Sequence, residues 1–338
     1  MDIRRIIKDW MLPIAMLVGA SAYLTYHFIP SLHSAGPFLE GLAGVMQPVL
    51  IFAMLFLTFC RIEPKDLRPH RWHWWLLLIQ GGLFSLLGLV AFILLRVLPE
   101  ESHDWVVLIE SAMLCFICPT ATAAAVVTRK LGGDVAGITT YTILINLLTA
   151  ILVPLVVPMV RPVADMNFWV AFSMIIAKIF PLLIMPCLAA WMVRYMAPKF
   201  HRLLVSYPDI PFYLWSVGLA LAVAVTTRAI VNSRMSLLLL LLIALVSLSC
   251  CVLQFALGRY VGTCYRPRKP MPDVEARGKT LRKITAGQSL GQKNTIFAIW
   301  MGYTFMTPET SIVGGLYSIW HNLYNSWQLY RAGKHDNN

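Results

Sequence analysis

Ile284-Thr285-Ala286-Gly287-Gln288-Ser289-Leu290-Gly291-Gln292-Lys293-Asn294-Thr295 is the stretch whose reading decides the fold. Its downstream flank is apolar, Ile296 to Trp300, as a membrane-crossing helix would be. Polarity of this density at membrane depth is tolerated only where the segment lines a protein-buried cavity. Gln288 and Gln292 are four residues apart and share a helical face. Gly287 and Gly291 have the same spacing, which predicts close approach of a second backbone.

A counterpart lies upstream, Cys118-Pro119-Thr120-Ala121-Thr122-Ala123-Ala124-Ala125. Pro119 removes a backbone donor and cannot continue a regular helix without a kink. Pro119 and Gln288 are 169 residues apart, half of the 338 in the chain. Paired interruptions at matching places in two halves point to a binding site at the bilayer midplane.

The rest of the sequence supports a membrane setting. Hydrophobic residues make up 58% of the chain and charged residues 13%, against roughly a quarter charged in soluble domains. Apolar runs near the length of about 20 residues that a spanning helix needs recur throughout. They predict ten spans, at roughly 11–30, 38–60, 74–97, 105–128, 135–160, 168–196, 210–227, 235–258, 285–305 and 309–330. The expectation is an all-α polytopic membrane protein whose ten transmembrane helices form two five-helix repeats, residues 1–165 and 166–338. An odd number of spans per half makes the second repeat inverted, and each interruption falls in the fourth span of its half.

Net charge is +12, but the basic residues alternate between successive loops and form no single stripe, which argues against nucleic acid. With the N-terminus inside, 22 of the 28 Lys and Arg residues fall in inside segments. Both termini are then cytoplasmic and the chain is a multi-pass protein of the cell membrane, plasma or inner. Glu100, Glu101 and Asp104 share an outer loop, and Arg259 to Lys283 reads as a solvated basic loop. Trp72, Trp74, Trp75, Trp105, Trp169 and Trp191 fall near span ends, where indole favours the interface. The seven cysteines form no metal-like spacing or disulfide framework. No H-E-x-x-H or facing carboxylate pair suggests catalysis, so the expectation is not an enzyme. The partners expected are a small organic anion and the lipid bilayer, with no nucleic acid and no obligate protein partner.

With both interruptions in hand, the chain resembles the bile acid:sodium symporter family. The resemblance rests on the ten spans, on Cys118-Pro119-Thr120-Ala121-Thr122-Ala123 with Val126-Val127-Thr128 and Leu131-Gly132-Gly133-Asp134 after it, and on Gln288-x-x-x-Gln292. It implies a panel domain (first, second, sixth and seventh spans), a core domain in which the broken fourth and ninth helices cross, and secondary transport of bile salts, steroid sulfates or keto acids, usually with sodium. It implies a cation site whose remnant here comprises Gln80, Ala124, Ala125, Thr142, Gln288 and Gln292. Several positions depart from the family pattern. Alanines at 124 and 125 replace a Ser-Asn pair, Ile138 replaces a hydroxyl, and Gln288 replaces a glutamate, while Thr142 and Gln292 are retained. Losing a carboxylate weakens binding of a hard cation, and Lys293 stands where the family commonly has Asn.

The expected function is therefore secondary transport of an organic anion by alternating access. Pro119, Thr120, Thr122, Gln288, Gln292, Lys293 and Asn294 sit at the crossover, with sodium or a proton as coupling ion and no other cofactor. A tethered Lys293 ammonium would occupy the place vacated by sodium, and a desolvated amine can also release a proton. The alternative for Lys293 is snorkelling to the interface from its position ten residues after Lys283. A membrane receptor that binds an amphipathic anion without moving it is the rival function. Glu110 reads as interfacial, Lys178 as a weaker intramembrane candidate, and His321 and Asn322 as hydrogen-bond partners between helices.

Overall fold

The computed structural model describes residues 3–97, 103–162, 167–207, 210–233, 235–264 and 272–336. Glu100, Glu101 and Arg234, along with the middle of the basic 259–283 segment, lie outside them. The described chain is helical: α1 (Ile3–Phe28), α2 (Gly36–Cys60), α3 (Arg71–Val97), α4 (His103–Ile117), α5 (Ala124–Lys130), α6 (Val135–Val160), α7 (Phe168–Leu183) and α8 (Met185–Met196) come first. Then follow α9 (Pro198–Ser206), α10 (Ile210–Asn232), α11 (Leu237–Cys264), α12 (Pro272–Gly291), α13 (Thr295–Phe305) and α14 (Pro308–Asp336).

Among the described residues, six segments are long and apolar enough to cross a membrane: Pro30–Cys60, Arg71–Val97, Val135–Val160, Phe168–Met196, Tyr213–Asn232 and Leu237–Cys264. At 1.5 Å per residue, the 27 residues of α3 reach about 40 Å, more than the roughly 30 Å hydrocarbon core. Ile14–Phe28 and Thr295–Phe305 are shorter apolar helices. The predicted spans 105–128 and 285–305 are not continuous, since α4 stops before Pro119 and α12 stops at Gly291. The segment read as a solvated basic loop is instead largely helical, continuing α11 to Cys264 and starting α12 at Pro272.

Large apolar side chains cover the surface as well as the core, and polar ones lie within it. Leu237, Leu238, Leu241 and Leu245 face outward on α11, whereas Gln80, Glu110, Gln254, Gln288, Gln292 and Lys293 are buried. Trp74, Trp75, Trp105 and Trp169 are exposed, but Trp72 turns inward and stacks on Tyr141 with ring centroids 6.4 Å apart.

α1 packs on α10, and α2 packs on α8 and α10. A second group forms around α3, α4, α6, α11, α12 and α14. Within it α11 and α12 are the closest pair. Gly258 lies against the Ala286 carbonyl, and Gly262 against the Arg282 carbonyl, where a Cβ would come within 2.5 Å. The close backbone approach thus depends on these two glycines, and Gly291 instead receives the Phe255 ring.

Candidate functional site: the crossover of two broken helices

The two interruptions meet. Thr120 and Lys293 form an isolated antiparallel bridge. The Asn294 N–H donates to the Pro119 carbonyl at 2.8 Å, and the Ala121 N–H to the Gln292 carbonyl at 3.1 Å. Each broken strand thereby supplies backbone partners that the other lost on leaving its helix, as burial of unpaired amides would demand. Thr120 adds a side-chain bond, its hydroxyl donating to the Ser289 carbonyl at 2.8 Å. Asn294 caps α13 by accepting from the Phe297 N–H at 3.2 Å.

A helix end leaves its last carbonyls without intrahelical donors. At α4 and the residue that follows it, four consecutive carbonyls are each taken by a side chain from a different segment. Gln254 on α11 donates to Cys115 at 3.1 Å. Lys293, in the second break, donates to Phe116 at 3.3 Å. Thr149 on α6 donates to Ile117 at 3.0 Å, and Gln80 on α3 to Cys118 at 3.0 Å. The negative end of the α4 dipole thus faces an ammonium, the favourable arrangement.

Lys293 is 2% exposed, which settles burial over snorkelling. Among the described residues it forms no ion pair with a carboxylate. Gln292 donates to the Gln288 carbonyl at 2.6 Å, and Gln288 donates to Asn325 at 3.2 Å and to Gln328 at 3.3 Å. Arg259 closes this chain of amides by donating to Gln328 at 2.6 Å.

The polar side chains of the supposed cation-site remnant are hydrogen-bonded within the protein. The Gln80 carbonyl oxygen accepts from the Tyr141 hydroxyl at 2.8 Å. Thr142 turns its hydroxyl onto its own helix, at Ile138. Ala124 is buried and Ala125 half-buried, and neither offers a side-chain oxygen. The Gln288 oxygen is bound by Gln292. Thr122 is half-buried and makes no hydrogen bond among the described residues.

Other sequence readings fare differently. Glu110 is fully buried, not interfacial: Arg161 donates to it twice, at 2.6 and 3.0 Å, and Thr310 once, at 3.1 Å. Lys178 is exposed and lies 5.6 Å from the Phe305 ring. Asn322 donates to Ser318 within its own helix and not across to a neighbour, because a carbonyl one turn back is in reach. His321 is buried edge-on to Tyr317, and its Nδ1 has no partner.

Sequence reading missed Gln254, Asn325 and Gln328, although an amide within an apolar helix is itself a signal of a buried polar role. Tyr141 and Tyr317 carried no such signal, since an aromatic in an apolar run reads as core. Tyr317 nevertheless donates to the Gly291 carbonyl at 2.8 Å, at the end of α12.

An apolar-skinned helical bundle with a polar, hydrogen-bonded crossover inside it has the anatomy of a polytopic membrane transport protein. Residues 48–254 match the Sodium Bile acid symporter family, and with more than half of its length matched the chain belongs to that family. The match opens within α2 and closes within α11, so it includes the first break and stops short of the second. No curated protein matches the chain.

Proposed function

We propose that this chain is a secondary transporter that carries a small organic anion across the cell membrane by alternating access. In this reading ten spans form two inverted five-helix repeats, residues 1–165 and 166–338, with both termini cytoplasmic. The group formed by α1, α2, α7, α8 and α10 is the panel and the remainder is the core. The substrate sits between them, beside the crossover.

One observation carries the proposal: the two interrupted helices meet at a buried ammonium, Lys293, that no carboxylate among the described residues neutralises. A buried cation without a counter-ion is costly, and an anionic substrate would supply the missing charge. The α13 N-terminus opens from the same break and favours an anion in the same way. Ser289 Oγ and Gln254 Oε1 are buried nearby without partners among the described residues, which leaves polar capacity for a ligand.

The coupling reading follows from the same residue. Lys293 supplies a positive charge in the place of sodium, and Gln80, Thr142, Gln288 and Gln292 are held in bonds to the protein. Transport is then independent of sodium.

The test is uptake of labelled taurocholate and of short keto acids into proteoliposomes under imposed sodium or proton gradients, with Lys293→Ala as control. Uptake that is proton-driven or merely downhill, and is lost in the variant, supports the proposal. Accumulation driven by sodium overturns the coupling reading but leaves transport standing. Saturable binding with no flux under any gradient overturns transport and identifies a receptor.

A further inference from the structure

α1 and α10 are pressed together backbone to backbone where Gly19 meets Ala220. One turn further along α1, Tyr23 and Tyr26 stand in the contact, and a cavity of about 250 Å³ opens between α1, α2 and α10. Leu39, Leu42, Leu221 and Val225 give it apolar walls. Gly36 makes room for Tyr26, whose hydroxyl would lie 2.5 Å from a methyl group placed there.

Also lining the cavity, Arg228 donates to Glu40 at 2.5 Å, the two side chains being 30% and 53% exposed. Nearby the Tyr23 hydroxyl accepts from Asn232 at 2.9 Å. An exposed ion pair contributes little to stability, so it opens at small cost to a ligand that carries the complementary charges. A phosphate suits the guanidinium fork, and an ammonium suits the carboxylate with tyrosine faces beside it.

The volume lies below the roughly 300–1,000 Å³ of pockets that enclose a whole small molecule. It fits one arm of a longer molecule whose remainder stays in the bilayer. Every α1 and α2 residue of the pocket precedes residue 48, where the family match begins.

We propose that this pocket binds a zwitterionic phospholipid of the phosphatidylethanolamine class. One acyl segment lies along Leu39, Leu42 and Leu221, and the head group is inserted between Glu40 and Arg228. A net-anionic head group would meet the Glu40 charge with no ammonium to offset it. A choline head group has no N–H to donate to Glu40. The order of affinity is therefore phosphatidylethanolamine, then phosphatidylcholine, then phosphatidylglycerol.

The experiment uses the full chain, purified and delipidated in detergent. Lipid retention is read by native mass spectrometry and stabilisation by thermal melting, with each of the three lipids and with free phosphoethanolamine. Phosphatidylethanolamine is expected to raise the melting midpoint by at least about 2 °C relative to phosphatidylglycerol. The double variant Glu40→Leu/Arg228→Leu is expected to lose roughly tenfold in retention of phosphatidylethanolamine while keeping that of phosphatidylglycerol. Equal stabilisation by both lipids overturns the proposal, as does undiminished retention in the double variant. Stabilisation by free phosphoethanolamine equal to that by the lipid overturns the bilayer source and assigns the pocket to a soluble ligand. If the double variant does not fold, the ranking of lipids on the parent protein decides.

Discussion

Replacing Lys293 by methionine keeps the length of the side chain and removes its charge, and the expected result is a more stable protein that no longer transports. Lys293 is 2% exposed and, among the described residues, its ammonium has a single hydrogen-bond partner, the Phe116 carbonyl at 3.3 Å. Desolvating a charge costs several kcal/mol even after relaxation. The charged hydrogen bond returns about 1.5–3 kcal/mol, and the end of the α4 dipole returns up to about 2 kcal/mol. The remainder is a net cost of roughly 1–3 kcal/mol that methionine does not incur. Thermal melting in detergent should show Lys293→Met unfolding about 2–6 °C above the parent, and the same preparation in proteoliposomes should show no substrate-dependent flux. A variant that melts more than about 2 °C lower and still transports would refute the reasoning. It would mean that the ammonium is a structural pin whose bonds outweigh its desolvation.

Glu110→Gln breaks the buried pair with Arg161 and should destabilise the protein by about 3 kcal/mol, while Glu110→Leu/Arg161→Leu recovers most of that, both read by thermal melting. Gln80→Leu strands the Cys118 carbonyl and the Tyr141 hydroxyl, and a loss of about 2–4 kcal/mol is expected from two unpaired buried groups; Tyr141→Phe in the same background should recover part of it. Gly258→Ala drives a methyl group into the Ala286 carbonyl, and separation of α11 from α12 should appear as faster hydrogen exchange in both helices and a cost of about 1–3 kcal/mol.

Six of the expected spans and both breaks were legible because each has a local signature. Apolar runs of sufficient length marked the helices, Pro119 marked the first break, and amides beside paired glycines marked the second. Lys293 was legible as an oddity, and its polar neighbours argued for burial. What sequence could not give was pairing. Nothing in Gln80 says that its amide will reach Cys118, or that Tyr141 will take its oxygen, because those contacts join segments 38 and 61 residues apart. Glu110 was misread because its position near the start of α4 resembles an interface. Only the return of α6 brings Arg161 onto it and gives it a reason to be buried. The α12 helix was missed in its first turns because its opening is as polar as a loop, and its helical state carries no apolar periodicity.

The four carbonyls from Cys115 to Cys118 are fastened from four directions, by α11, by the second break, by α6 and by α3. A segment held in this way has no freedom left to serve as a hinge. Bending α4 at Pro119 would release four hydrogen bonds at once, each involving a buried side chain. Any displacement that exposes the crossover alternately to the two sides must leave that knot intact and move it as a rigid body. If the chain transports as proposed, the compliance resides elsewhere, as at the seam where α10 lies against α13 and α14. There Ile296 on α13 lies against Gly218 on α10, and Thr226 on α10 against Gly315 on α14, side-chain contacts that can slide without breaking a backbone bond.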